Sequence, residues 1–165
     1  MNILLTACRR RTEGRRQKTE VRTAAVAFVL LSVSAVWVVR AQTPDRSVWD
    51  GVYTAQQAMR GAAVYADECA LCHGTDLTGG ESAPPLSGGE FQSNWNGLTV
   101  GDLFERIRTT MPASRPGKLN RDQNSDLLAF ILSVNQFPAG SAELARQTEV
   151  LKQIRFESVR PEGKK

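Results

Sequence analysis

The stretch Cys69-Ala70-Leu71-Cys72-His73 decides the fold that we expect for this chain. Two thiols three positions apart, followed at once by an imidazole, can bond both vinyl groups of one haem and place the histidine beneath its iron. His73 is the only histidine among the 165 residues, so no other imidazole competes for this position. The motif predicts one haem c, attached through Cys69 and Cys72 and ligated by His73.

Two other chemistries use a pair of cysteines at this spacing. A structural zinc site needs four nitrogen or sulfur ligands, and beyond residue 41 the chain offers only Cys69, Cys72 and His73. A thioredoxin-like dithiol lies at a strand-to-helix junction, whereas a helical pattern precedes Cys69. The number of ligands and their spacing therefore favour haem.

Charge divides the chain into two parts. Residues 1–41 hold eight of the 21 Lys and Arg residues but only two acidic residues. Residues 42–165 carry 13 basic and 15 acidic side chains, and this balance gives no support to nucleic-acid binding, which needs a clustered basic face. The length after residue 41 suffices for one small domain.

Residues 24–39 are almost wholly apolar, follow a basic segment and precede Ala41. This arrangement predicts a secretory signal peptide over residues 1–41. The alternative is an uncleaved membrane anchor through residues 24–39, although sixteen residues are short for a membrane span. We expect a periplasmic protein in either case, because bacteria attach haem to thiols outside the cytoplasmic membrane.

Helical patterning begins at Thr54, after a polar segment, residues 42–53, that we expect to be a linker. Thr54, with Gln57 three residues later, forms a predicted capping box, and apolar residues then follow at helical spacing towards Cys69. Gly61 interrupts this helix at a cost of about 1 kcal/mol relative to Ala. We expect that another helix passes close to it.

Residues 74–96 are rich in glycine and show no periodicity, so we expect an irregular loop. A backbone carbonyl in its segment 84–88 can accept the Nδ1 proton of His73, which fixes the ring and strengthens it as a ligand. Phe91 and Trp95 are the aromatic residues available to cover a haem edge, and both are equally suited to filling the core.

A second helix is predicted over residues 99–110. Thr99 and Asp102 resemble a capping box, and an apolar stripe that includes Phe104 follows. The helix ends at Met111-Pro112, and the segment after it contains proline and glycine, which predict a loop.

A third helix is predicted to begin at Asn120, with Gln123 completing a capping box, and to stop at Asn135. We place the end of the domain at residue 138. Residues 139–165 mix apolar and charged side chains, so we expect a C-terminal tail, a docking helix followed by a polar, frayed end.

The sixth position of the iron has few candidate ligands, namely Met59, Met111, a lysine or none. Met59 lies in mid-helix on its apolar side, where a core role explains it. Met111 lies where a helix breaks at Pro112, which can direct its thioether into the haem pocket. A His/Met pair raises the reduction potential and leaves no open position, which suits electron transfer and not an enzyme.

These residues resemble the class I c-type cytochromes, small proteins with one haem, over about residues 54–135. Gly61 and Tyr65 resemble the glycine and aromatic of that family's first helix, which crosses Leu127 and Phe130 of its last helix. The resemblance implies an all-α class I cytochrome c fold, with three main helices and irregular loops wrapped around one covalently bound haem c.

The same resemblance assigns roles in the haem pocket. Pro84, Leu86 and Gly88 resemble the family's Pro-x-Leu-x-Gly loop, in which the proline carbonyl accepts the hydrogen bond of the proximal histidine. Met111-Pro112 resembles its distal-ligand turn. We therefore expect His73 and Met111 as axial ligands of iron and four pocket residues: Pro84, Leu86, Trp95 and Phe104.

We expect a periplasmic electron carrier and no enzymatic activity. It would move one electron at a time from a dehydrogenase or quinol-oxidising complex to a terminal oxidase. The chain is also similar to cytochromes of soil bacteria that are thought to serve quinoprotein-type dehydrogenases. The alternatives are a cytochrome subunit of a dehydrogenase complex, docked by the tail, and a haem gas sensor or peroxidase with a dissociable sixth ligand.

Overall fold

The structure, a computed structural model, describes residues 46–163. In chain order the elements are β1 (Arg46–Ser47), a 3-10 turn (Val48–Asp50), α1 (Ala55–Glu68), α2 (Ala70–His73), α3 (Gly88–Trp95), α4 (Val100–Thr110), α5 (Arg121–Val134), α6 (Thr148–Leu151) and β2 (Ile154–Arg155). Helices dominate, so the all-α fold class is confirmed. The expected leader over residues 1–41, its anchor alternative over residues 24–39 and residues 42–45 lie outside the described residues.

Helices α1 and α5 cross at Gly61. A Cβ atom on Gly61 would lie 1.9 Å from the carbonyl oxygen of Asp126 and 2.9 Å from Cβ of Phe130, so the two backbones meet where a side chain is absent. The rings of Tyr65 and Phe130 pack beside this point, with centroids 5.4 Å apart. The expectation that another helix passes close to Gly61 is confirmed.

The starts of α4 and α5 follow their predicted capping boxes. Thr99 and Asp102 exchange the two side chain to backbone hydrogen bonds, and Asn120 and Gln123 do the same. In this way each helix satisfies backbone N–H groups that its first turn would leave unpaired. The two capping boxes fix where the helices on either side of Met111 begin.

The start of α1 differs from its prediction. Thr54 Oγ1 accepts a hydrogen bond from the Gln57 N–H at 3.1 Å, but the side chain of Gln57 does not return to Thr54. It is buried, donates to Ser125 and to the Leu144 carbonyl, and accepts from the Leu144 N–H at 2.6 Å. The capping box is therefore half formed, because a buried amide gains more from satisfying polar groups in the core.

Helix α3 lies inside the segment that we expected to be an irregular loop. Two glycines give its first turn a low helix propensity, which is why the pattern of residues 74–96 concealed it. The buried ring of Phe91 packs edge-on to Phe156 at 5.9 Å and lies beside Trp95. Tertiary packing stabilises this helix, and the fold has four helices of eight residues or more among residues 46–163, where we expected three.

The described parts of the expected linker and tail, residues 46–53 and 139–163, contribute to the hydrophobic core. Strand β1 pairs in parallel with β2, and Tyr53 donates a hydrogen bond to the Phe137 carbonyl at 2.6 Å. The core side chains outside the expected domain limits are at most 4 % exposed: Val48, Val52, Tyr53, Leu144, Leu151, Ile154 and Phe156. The domain limits at residues 54 and 138 are therefore corrected, since apolar side chains on both flanks are buried together.

Over its described residues, 139–163, the tail also lacks the expected docking helix. Its helical part is the single turn α6, and the strand β2 follows at once. None of the helices within residues 46–163 is both long enough and apolar enough to cross a membrane.

Candidate haem site

The Cys-x-x-Cys-His motif forms one helical turn at the end of α1. Cys69 lies between α1 and α2, with its N–H bonded to the Tyr65 carbonyl at 2.9 Å. The His73 N–H in turn donates to the Cys69 carbonyl at 3.0 Å. Leu71 is 99 % exposed and Cys72 is exposed, whereas Cys69 is half-buried and His73 is buried. The turn thus presents free thiols near the surface and directs the imidazole inward.

The electrostatics of the thiols disagree with the dithiol alternative. A redox-active cysteine pair depends on a lowered thiol pKa. Burial raises the pKa of the Cys69 thiol to about 11, with smaller contributions from the negative charges of Glu68 and Cys72. Cys69 is therefore a neutral thiol at ordinary pH, and it follows a helix where a thioredoxin-like motif would follow a strand.

His73 is held in one tautomer by the backbone. Its Nδ1 lies 2.9 Å from the carbonyl oxygen of Pro84. A carbonyl can only accept, so Nδ1 carries a proton, and in the neutral ring Nε2 then presents a lone pair. No hydrogen bond within residues 46–163 engages Nε2. A neutral imidazole in this form is the form that binds a metal, and a hydrogen bond from its other nitrogen strengthens it as a donor.

The loop that carries Pro84 folds back against the motif. The Gly79 N–H donates to the His73 carbonyl at 2.9 Å, and the Leu86 N–H donates to the Leu77 carbonyl at 2.8 Å. Gly79 has a φ of +77°, and a Cβ atom there would lie 2.6 Å from the Pro85 nitrogen. A side chain at this position would push the proline segment away from His73.

Tyr65 fastens the other side of the motif. Its hydroxyl donates to the Gly74 carbonyl at 2.6 Å. Desolvation raises the pKa of Tyr65 to about 12, so the phenol stays protonated and remains a donor. One residue of α1 thus supports both the helix crossing and the residue after His73.

Asn135 is a part of the site that the sequence does not predict, because its context indicates only the end of a helix. Its buried amide donates to the carbonyls of Leu86 and Ile131, each at 2.9 Å, and accepts from the Gly88 N–H at 3.1 Å. These contacts tie the Pro84 loop to the end of α5. The available signal was an amide directly after the last apolar turn of a helix, but its partners are 47 and 49 residues away.

Met111 occupies the exit of α4, as predicted. Helix α4 ends at Thr110, and Met111 has extended backbone angles and donates its N–H to the Ile107 carbonyl at 2.9 Å. Its side chain is half-buried against the core. Met59 is 66 % exposed, so the expectation that it fills the core is wrong.

The four expected pocket residues occupy different environments. Leu86 and Trp95 are half-buried at the edge of the core, and Pro84 is exposed but contacts His73 through its carbonyl. Phe104 is fully buried, and the guanidinium of Arg121 lies 5.9 Å from its ring centroid. The structure thus places Phe104 inside the core beside Arg121. The apolar stripe of α4 predicts that Phe104 is buried but does not predict which residues surround it.

The residues present fit a covalently bound haem. Two free thiols lie on the same turn as an imidazole whose Nδ1 is hydrogen-bonded to Pro84 and whose Nε2 has no hydrogen-bond partner among the described residues. A set of apolar side chains packs against the core while remaining partly exposed: Cys69, Ala70, Leu86, Trp95 and Met111. Partly exposed apolar side chains of this kind are what a large flat cofactor can cover. Cys69 and Cys72 would bond the haem, and His73 would ligate its iron.

Comparison with known proteins supports a cytochrome domain. A family model described as cytochrome c oxidase, cbb3-type, subunit III matches residues 56–131. The sequence matched no curated protein.

Among solved structures, the chain is similar to the sulfane dehydrogenase SoxCD from Paracoccus pantotrophus. The two share 22 % identity with a TM-score of 0.44, over 66 % of this chain and 61 % of that one. The chain thus spans about three-fifths of the matched SoxCD chain, and the similarity is too low to carry an argument.

The attachment motif, the helical fold and the family match over residues 56–131 lead to one conclusion. They support a class I c-type cytochrome domain over these residues, a kind of domain that binds haem c covalently and transfers electrons through its iron.

Proposed function

We propose that the protein is an exported, one-electron carrier with a six-coordinate haem. Cys69 and Cys72 attach the haem, and His73 and Met111 ligate its iron. The observation that carries the proposal is the 2.9 Å contact between His73 Nδ1 and the Pro84 carbonyl, which leaves Nε2 free to bind iron. The haem, when bound, supplies the one-electron couple between ferrous and ferric iron.

The chain's own residues set the conditions for that couple. Pro84 orients His73 and strengthens it as a donor, while Leu86 and Trp95 shield one side of the pocket from water. Of the two methionines considered, Met111 is the better candidate for the sixth iron ligand, because it is half-buried at a helix exit, whereas Met59 is mostly exposed. A thioether favours ferrous iron and closes the position to oxygen or substrate, which favours a carrier over an enzyme, gas sensor or peroxidase.

The cellular role follows from the leader and the chemistry. We infer a periplasmic location, because residues 1–41 have the pattern of a signal peptide. The redox partners that we propose are a dehydrogenase, which includes the quinoprotein class, or a quinol-oxidising complex as donor and a terminal oxidase as acceptor. Fractionation of cells that express the full chain tests the location: recovery in the cytoplasm would contradict it.

Replacement of Met111 tests the ligation. In the ferric holoprotein, Met111→Ala should abolish the sulfur-to-iron charge-transfer absorption. The same substitution should lower the midpoint potential and allow carbon monoxide to bind the ferrous haem. Met59→Ala is the matched control, and we expect it to leave all three unchanged because its side chain is exposed. An unaltered spectrum in Met111→Ala, or rapid carbon monoxide binding by the wild type, would reject the carrier proposal.

A second candidate is a subunit of a larger redox complex, and the family description favours it because it names an oxidase subunit. The tail does not support this candidate as a docking element, since Leu144, Leu151, Ile154 and Phe156 are buried in the domain itself. Purification of the affinity-tagged full chain from its native membranes distinguishes the two. Stoichiometric recovery of a catalytic subunit would favour the complex over the free carrier.

A further inference from the structure

The loop that follows Met111 is anchored at both ends by the fold. At its start, the Met111 N–H donates to the Ile107 carbonyl at 2.9 Å. At its far end, Leu119 is buried, and its carbonyl accepts a hydrogen bond from Asn124 Nδ2 at 3.0 Å. Residues 113–118 between these anchors are all exposed. Side-chain contacts are therefore what can fix the position of the middle of the loop.

Those contacts come from Glu68. Its carboxylate accepts from Arg115 Nη2 at 3.3 Å and from the ammonium of Lys118. Within residues 46–163 these are the hydrogen bonds and ion pairs that join residues 113–118 to another element. Glu68 directly precedes Cys69, so the two ion pairs connect the haem-attachment turn with the loop of the predicted distal ligand.

The backbone of the loop links these cations to Met111. The Arg115 N–H donates to the Pro112 carbonyl at 2.8 Å, and the Lys118 N–H donates to the Arg115 carbonyl at 3.2 Å. Two consecutive turns thus run from Lys118 to Pro112, the neighbour of Met111. A displacement of Arg115 or Lys118 is transmitted to the residue next to the thioether.

The stability of α1 does not explain a carboxylate at this position. Glu68 is the last residue of the helix, where the macrodipole favours cations and disfavours anions. Its side chain is nevertheless only 15 % exposed, and the contacts that favour its charge are those to the loop. This placement points to a role in holding the loop.

We propose that Glu68 is a positioning residue for the sixth iron ligand. Its ion pairs with Arg115 and Lys118 hold residues 112–118 against the haem-attachment turn and so keep the Met111 thioether on the iron. This inference rests on the His/Met ligation proposed above. A single exposed ion pair contributes little to global stability, but opening of one loop is a local event that few contacts oppose.

Imidazole binding to the ferric, full-length holoprotein measures that opening, because imidazole takes the sixth position only when Met111 has left it. Apparent affinity is proportional to the open fraction. Glu68→Gln should therefore bind imidazole about 3- to 10-fold more tightly than the wild type. Glu143→Gln is the matched control, since it removes an exposed carboxylate paired with Arg60, away from the loop, and it should leave the affinity unchanged.

A double-mutant cycle separates the loop contacts from a general charge effect. Arg115→Gln combined with Lys118→Gln should raise imidazole affinity as much as Glu68→Gln does, and the triple variant should show no further increase. Both cations are exposed, so we expect these variants to fold. Additive effects, or equal affinities for Glu68→Gln and Glu143→Gln, would overturn the inference.

Met111→Ala distinguishes failure of this inference from failure of the proposed ligation. If Met111→Ala binds imidazole more tightly than the wild type and Glu68→Gln does not, only the role of Glu68 is rejected. If Met111→Ala and the wild type bind imidazole equally, Met111 is not the ligand, and both proposals fail.

Discussion

Replacement of Gly61 by alanine is expected to force α1 and α5 apart. The new Cβ atom would lie 1.9 Å from the Asp126 carbonyl oxygen and 2.4 Å from its carbonyl carbon. Ordinary contact begins near 3.4 Å, so the helices must separate by about 1.5 Å at this point. Because the obstacle is backbone, no rotamer change relieves it.

Two effects set the magnitude. Alanine in a helix is favoured over glycine by about 1 kcal/mol, while overpacking of this kind costs about 3 kcal/mol. Gly61→Ala should therefore lower the free energy of unfolding by about 2 kcal/mol. Chemical denaturation of the holoprotein, followed by far-ultraviolet circular dichroism, measures this change.

Gly89→Ala is the matched control, because Gly89 lies in α3 and a Cβ atom there would meet nothing within 4 Å. The same substitution should raise the free energy of unfolding, by up to about 1 kcal/mol. The two variants should thus change stability in opposite directions. If Gly61→Ala proved as stable as Gly89→Ala, the close helix crossing would be refuted.

Three further changes probe other parts of the domain. Phe156→Ala should lower the free energy of unfolding, measured by denaturation, by about 3–5 kcal/mol. Val159→Ala, at a 77 % exposed position, should leave it unchanged. Equal effects of the two substitutions would contradict a buried tail. Asn135→Ala removes the hydrogen-bond partner of the Leu86 carbonyl and of the Gly88 N–H in the Pro84 loop and should destabilise by about 1–3 kcal/mol, with a lower midpoint potential in voltammetry. The hydrogen bonds from Arg108 and Thr148 lower the pKa of Glu105 to about 2, so the stabilisation from the ionised carboxylate is present above pH 4.5 and is lost as the pH falls towards 2. Denaturation should show that Glu105→Gln is less stable than the wild type by about 1 kcal/mol at pH 7 and equally stable at pH 2. The effect at pH 7 is small because solvent screens a side chain that is 31 % exposed.

The elements that the sequence predicted well are those governed by neighbours along the chain. The capping boxes at Thr99 and Asn120 follow from residue spacing, the helix exit at Met111 follows from Pro112, and the close crossing at Gly61 follows from the cost of glycine in a helix. The sequence also predicts that a backbone carbonyl of segment 84–88 accepts the Nδ1 proton of His73, and the resemblance to class I c-type cytochromes assigns this carbonyl to Pro84, as the structure has it.

The elements that the sequence concealed depend on partners far along the chain. Helix α3 is stabilised by Phe91 against Phe156, and Gln57 leaves its local cap for Ser125 and Leu144. The hydrophobic periodicity of one segment does not indicate which distant residue will pack against it. The sequence predicts a linker and a tail at the flanks of the domain for a similar reason, since short strands and single helical turns are too short to show a hydrophobic periodicity.

The intact mass of the protein, secreted by a bacterial host that can attach haem c and then denatured in acid, tests the central claim most directly. The account predicts one chain carrying the mass of one haem that denaturation does not release, because Cys69 and Cys72 hold it covalently. A chain with the mass of the bare polypeptide, or a haem that separates on denaturation, would contradict it.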